Sequence, residues 1–141
     1  MSDFAIADQP GLCLIVALKG IDSTGTSRGL ENVCVTISDT TNAYIADAGP
    51  NTGGYPQFYV VPRQNVPGGT ALSSTVTVSL TVTANDPVLG GALPPLSLTC
   101  DLLVGAPPPA HSTVLAIQSS NYLVPTPLPT DPGTATITNI S

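Results

Sequence analysis

The sequence predicts an all-β fold: an antiparallel β-sandwich of about seven strands, immunoglobulin-like or jelly-roll-like, with extended arms at both ends. Three observations carry this expectation. Apolar residues recur with a period of two almost wherever a pattern can be read. The 15 Pro and 13 Gly interrupt every window long enough to host a helix. Only 9% of the 141 residues are charged, against about 25% in an average soluble domain. Ser and Thr take their place, which excludes a coiled coil, a helical bundle and a highly charged disordered tail.

The strands follow in order. Leu12 to Leu18 is apolar on both faces and reads as a central strand. Val33 to Ile37 is β-branched and stops at Ser38-Asp39-Thr40-Thr41-Asn42, a run of turn-forming side chains. Phe58 to Val61 is the next candidate. From Thr75 to Thr83 the alternation is faultless: Val76, Val78, Leu80 and Val82 take one side and hydroxyls the other. Leu96 to Leu102 repeats that pattern, and the turn formers from Asn85 to Gly91 make the two strands neighbours. Thr113 to Gln118 and Thr134 to Ile140 complete the set. No internal repeat of fixed period appears, which excludes a solenoid or propeller.

Residues 1–11 read as an N-terminal arm and residues 12–123 as the sandwich domain. Residues 124–141 read as a Pro-rich connector with a C-terminal strand. Pro125, Pro127 and Pro129 stand at alternate positions, with Pro132 following, and such a segment favours an extended spacer. The strand beyond it either folds back on its own body or reaches a neighbouring subunit.

Composition also bounds the function. Three Lys and Arg against nine Asp and Glu give a net charge of -6, so no cationic surface exists to neutralise phosphates and no nucleic-acid partner is expected. The apolar run from Leu12 to Leu18 is far shorter than the ~20 residues of a membrane span. No basic stretch precedes it as in a secretory leader, so no membrane partner is expected and synthesis in the cytoplasm is. Cys13, Cys34 and Cys100 lack metal spacing and read as buried thiols. A Cys34–Cys100 bridge would resemble the immunoglobulin inter-sheet link, but no Trp is present to pack on it.

Chemistry-bearing constellations are missing from the sequence. The one histidine, His111, has only its neighbour Ser112 beside it, which cannot reach triad geometry, and no Gly-x-Ser-x-Gly elbow occurs. Asp22, Asp39, Asp47, Asp86, Asp101 and Asp131 mostly occupy turn contexts, and no calcium-loop array is present. The glycine pairs at 53–54, 68–69 and 90–91 lack the spacing and lysine of a phosphate loop and read as turns. Asn139-Ile140-Ser141 matches a glycosylation acceptor by chance. No catalytic residue, metal ligand or cofactor is therefore expected, and the protein is not expected to be an enzyme.

What remains is a chain suited to assembly: single-domain, acidic, charge-poor and extended at both ends. The profile is similar in type to virion proteins, and the expected function is a non-catalytic bacteriophage capsid cement or decoration protein that bridges shell subunits. Its expected partners are other virion proteins and itself, with a homo-oligomer, a trimer favoured, located in the virion after assembly in the host cytoplasm. The alternatives are a cell-surface adhesion or carbohydrate-binding module whose leader was removed, or a phage tail or fibre subunit. The candidate partner-contact residues are Phe4 and Ile6 in the first arm and Leu128, Ile137 and Ile140 in the second. Tyr55 and Tyr59 join them as large contact surfaces of low entropic cost. The hydroxyl row Thr75, Thr77, Ser79, Thr81 and Thr83 is expected to face solvent or a subunit contact.

Overall fold

The structure, a computed structural model, describes residues 2–50, 53–105, 119–123 and 128–140. The chain is all-β with several sheets, and its helical content among the described residues is two 3-10 turns, Arg63–Asn65 and Pro87–Leu89. Twelve strands occur among the described residues: β1 (Phe4–Ile6), β2 (Leu12–Ala17), β3 (Gly20–Ile21), β4 (Ser27–Arg28), β5 (Val33–Ile37), β6 (Ala43–Asp47), β7 (Gln57–Pro62), β8 (Val76–Asp86), β9 (Gly91–Ala92), β10 (Leu96–Leu102), β11 (Ser119–Leu123) and β12 (Thr136–Thr138).

The larger sheet is built around β8, in the order β1-β10-β8-β5-β12, with β9 pairing the far end of β8. Val78, Leu80, Val82 and Ala84 of β8 are buried while Thr77, Ser79 and Thr83 are exposed, as the two-residue period of a strand requires. β10 runs antiparallel beside it from Leu96↔Val82 to Leu102↔Val76. The reversal between them uses the second 3-10 turn. There the buried Asp86 side chain accepts from Val88 N at 2.9 Å, and Gly90 takes a left-handed φ of 105°. A second strand partner, β5, pairs the other edge of β8 from Val33↔Ala84 to Ile37↔Leu80.

The smaller sheet has the order β11-β2-β7-β6. Strand β2, apolar throughout, is internal, flanked by β11 and β7. Its Leu14 and Val16 join Ile45, Phe58 and Val60 in the main core, where they meet Val33, Val35, Val78, Leu80 and Leu102 of the larger sheet. Among the described residues neither sheet closes on itself: β1 and β12 are the edges of one, β11 and β6 of the other.

Twelve strands stand where about seven were expected, and the surplus has physical causes. β3, β4 and β9 are two residues long and β1 is three, too short to leave a periodicity. β6 buries Ala43, Tyr44, Ile45 and Ala46 in succession, so its alternation is hidden by burial on both faces. The expected strand from Thr113 to Gln118 lies outside the described residues.

At the N-terminus, β1 pairs in parallel with β10, in the register Phe4↔Cys100 to Ile6↔Leu102. Asp3 accepts from Thr99 N at 2.9 Å, and Asp101 accepts from the hydroxyls of Ser2 and Thr77. Those two hydroxyls, Ser2 first, hold the Asp101 carboxyl below its ordinary value. Phe4 and Ile6 thus enter this chain's own core. A free strand edge on β10 and apolar residues at alternate positions are what bring an extended segment there.

The link from β1 to β2 is organised by a single buried amide. Asn65, 1% exposed, donates from Nδ2 to the carbonyls of Ala7 and Leu12 at 2.9 and 3.0 Å. Its Oδ1 accepts from Gln9 N at 3.1 Å, and its backbone carbonyl accepts from Gly11 N at 3.0 Å. Removing the amide would take one hydrogen bond from each of the Ala7 carbonyl, the Leu12 carbonyl and Gln9 N, of which the first and last keep the 3.0 Å bond they make with each other. Asn65→Leu is expected to lower unfolding free energy by about 2–4 kcal/mol, measured by urea denaturation. An unchanged midpoint would show that water replaces the amide at no cost.

Candidate assembly interface

The outer face of the smaller sheet is as apolar as its core face. Cys13 of β2, Tyr44 of β6 and Val61 of β7 point away from the main core and are 0–4% exposed. A strand apolar on both faces needs cover on both, and here the cover is the segment from Leu128 to Asp131. Leu128 joins Cys13, Tyr44 and Val61 in a second small cluster, with Tyr59 and Val66 packed beside it.

Polar contacts fasten this segment around Arg63. The Arg63 guanidinium meets the Asp131 carboxylate at 2.7 Å, lies 5.1 Å from the Tyr44 ring centroid, and donates from Nε to the Thr40 carbonyl at 2.8 Å. The Tyr44 hydroxyl donates to the Pro129 carbonyl at 2.6 Å, and burial pushes its pKa above the ordinary phenol value. We term this arrangement the clasp. It borders a groove of about 820 Å³, whose far wall is the loop from Val66 to Leu72. That loop is tight: a Cβ on Gly69 would collide with the Arg63 carbonyl oxygen. Because Arg63 is already committed to a carboxylate, a carbonyl and a ring, the groove offers no free cation to an anionic ligand.

Beyond the clasp the chain crosses to the larger sheet. β12 pairs antiparallel with β5, in the register Thr136↔Thr36 to Thr138↔Cys34, and also lies against β6. Ile137 is half-buried against the main core and Ile140 is 3% exposed within it. Two apolar plugs, Leu128 and Ile140, therefore anchor the segment in two separate clusters. Burying each contributes roughly 1.5–3 kcal/mol, whereas a half-exposed ion pair contributes about 0–1 kcal/mol. The plugs dominate the attachment, and the clasp sets its register.

The seven partner-contact candidates divide accordingly. Phe4, Ile6, Ile137 and Ile140 belong to or pack on the main core; Leu128 and Tyr59 belong to the second cluster. Tyr55 is half-buried in the turn before β7 and belongs to neither. His111 and Ser112 lie outside the described residues. Among the described residues, no three His, Cys, Asp or Glu side chains converge as metal ligands, and no helix is long and apolar enough to cross a membrane.

A second surface is broader than the sequence shows. On the outer face of the larger sheet, the register aligns Ser97, Thr81, Thr36 and Thr136 in one row across four strands. Thr99 and Ser79 lie in the adjacent row. The hydroxyls of β8 alone are legible from alternation; their neighbours on β5, β10 and β12 are brought alongside by pairing between distant segments. The clasp was equally hidden, because nothing local links residues 44, 63 and 131.

The cysteines sit in three different environments. Cys34 pairs with Thr83 and faces outward, whereas Cys100 pairs with the buried Val78 and faces the core. The two are on opposite faces of one sheet with β8 between them, which forbids a bridge. Burial pushes the Cys13 thiol up to about 12 and that of Cys100 higher still.

No protein-family model, curated protein or solved structure matches the chain.

Two outcomes follow from these environments. Iodoacetamide should add once to the folded protein, at the half-exposed Cys34, and three times after unfolding; intact-mass spectrometry reads the count. Asp131 is held below its ordinary value by the Gly133 N–H and by Arg63. A depressed carboxyl stabilises the fold above its unfolded value of about 3.9, and the contribution is lost as pH falls through the lower, folded value. Urea midpoints taken from about pH 5 downward should therefore fall more steeply for the natural chain than for Asp131→Asn.

Proposed function

We propose that this protein is a non-catalytic structural subunit that acts by burying surface against partners, of the bacteriophage capsid cement or decoration type. On this reading the two open sheets are the layers of an immunoglobulin-like or jelly-roll-like sandwich. The observation that carries the proposal is the C-terminal segment. It follows a Pro-rich connector, contributes an edge strand, and plugs two clusters through Leu128 and Ile140. The same contacts form whether the segment comes from its own chain or from a neighbour, and a proline-rich connecting sequence favours reach toward a neighbour.

The hydroxyl face supports the reading from another side. It is wide, exposed at Thr36, Ser79, Thr83, Ser97 and Thr136, and carries few charges whose burial against a partner would be opposed. Binding an assembled lattice in preference to free subunits would then stabilise the lattice by mass action. Residues of the second arm link neighbours, in a homo-oligomer within the virion.

Disulfide trapping tests the exchange directly. Thr36 and Thr136 are register partners across β5 and β12, so a Thr36→Cys, Thr136→Cys variant, made with Cys34→Ser, cross-links that ladder on mild oxidation. Covalent dimers or higher rings on non-reducing gels are the expected product. A cross-link confined to single chains, together with a monomeric mass by light scattering, would eliminate self-exchange.

A further inference from the structure

A second cleft, of about 420 Å³, shares no residue with the groove beside the clasp. Its walls are Leu18, Ile21, Leu30, Val82, Leu93 and Leu96. Leu30 and Leu93 are half-buried and pack on the main core, so the floor is continuous with the interior. Its rim is unusually apolar. Ile21 is 62% exposed and Leu96 36%, two of four exposed large hydrophobic residues among those described. A third, Val88 at 58%, rides on the 3-10 turn whose Leu89 packs over Gly20 of β3. Isolated apolar residues on a surface are ordinary, but several gathered around one concavity mark a binding site.

The cleft also holds the chain's one lysine, Lys19. Among the described residues the single ion pair is that of Arg63, so Lys19 has no acidic partner. Arg28, which faces Gly20 across the β3–β4 pair, is engaged electrostatically by Asp22. In a chain of net charge -6, an uncommitted cation beside an apolar cleft favours a ligand with one negative head and an apolar body. Lysine suits that geometry, since its stem lines apolar wall while its charge meets the head. The volume falls in the ~300–1,000 Å³ range of small-molecule sites. A strand-like peptide fits less well, because the Ala84 carbonyl in the wall is already taken by Leu93 N at 2.9 Å.

We propose that this cleft binds a free medium-chain carboxylic acid. The alkyl chain lies on Leu18, Leu30, Val82 and Leu93, and the carboxylate meets Lys19. This site is independent of the assembly reading, and neither stands or falls with the other.

The probes are sodium decanoate, below its micelle concentration, and 1-decanol, titrated into the ¹⁵N-labelled full-length protein. Saturable shifts at the amides of Leu18, Lys19, Leu30, Ala84 and Leu93 are expected with both. Lys19→Gln should weaken decanoate about ten-fold, as loss of a charge-assisted contact does, and leave decanol unchanged. Leu93→Trp, which fills the cleft, should abolish both; if it fails to fold by circular dichroism, Ile21→Glu on the exposed rim replaces it and should weaken decanoate and decanol. Absence of saturable binding would overturn the proposal, as would equal affinity of Lys19→Gln for decanoate, or shifts mapping to the Arg63 groove.

Discussion

Strand β2 buries side chains on both of its faces, and an internal strand of that kind requires apolar cover on two sides. One side is supplied by the larger sheet, through Leu14 and Val16 in the main core. The other is supplied by a segment more than a hundred residues further along, through Leu128. That second requirement explains why the chain returns across the smaller sheet, why Tyr44 and Val61 are buried on the outer side, and why a carboxylate at Asp131 finds Arg63. Once there, the chain is placed to add β12 to the edge at β5 and to seat Ile140 in the core. The C-terminal segment is thus a structural part of the body, and the assembly proposal concerns which copy supplies it.

The two sheets solve the problem of an outer face in opposite ways. The smaller sheet hides apolar residues beneath a covering segment. The larger leaves its face uncovered and fills it with hydroxyls. Threonine gives strand propensity without charge, so a wide surface stays compatible with water and with an uncharged partner. The low charge content of the sequence is concentrated in its consequences here: among the described residues one ion pair is formed, and cohesion comes from burial and from amide and hydroxyl hydrogen bonds such as those of Asn65 and Asp101.

Legibility from sequence followed locality. Val33–Ile37 and Leu96–Leu102 have the bounds that alternation predicts, and β8 extends the predicted Thr75–Thr83 run by three residues at its end. Their neighbour relations were readable too, because a turn of Asn, Asp, Pro and Gly joins β8 to β10. Phe4 and Ile6 look like part of an arm because a three-residue strand carries no period, and only the exposed edge of β10 gives them a place. The clasp and the cross-strand hydroxyl rows were illegible for a different reason. Both arise from pairings between segments far apart in sequence, and no local pattern encodes which edge a strand will join. The cleft at Lys19 is of that kind as well, being assembled from the link between β2 and β3, from β3, from Leu30 ahead of β5, from β8, and from the start of β10 with its approach.

β1 and β12 lie at opposite edges of the same sheet, so the two ends of the described chain are separated by its full width. Tension applied between those ends would be carried first by two ladders of three residue pairs each, β1 on β10 and β12 on β5. The β10–β8 and β8–β5 ladders stand in series between them, with seven and five residue pairs, and are the stronger links, while the smaller sheet lies off that path. Under a stretching force the molecule is built to give way at its margins, by peeling a short strand with its plug, while the centre keeps its pairing. The shortest ladders of the larger sheet's main path are thus the ones nearest the two ends.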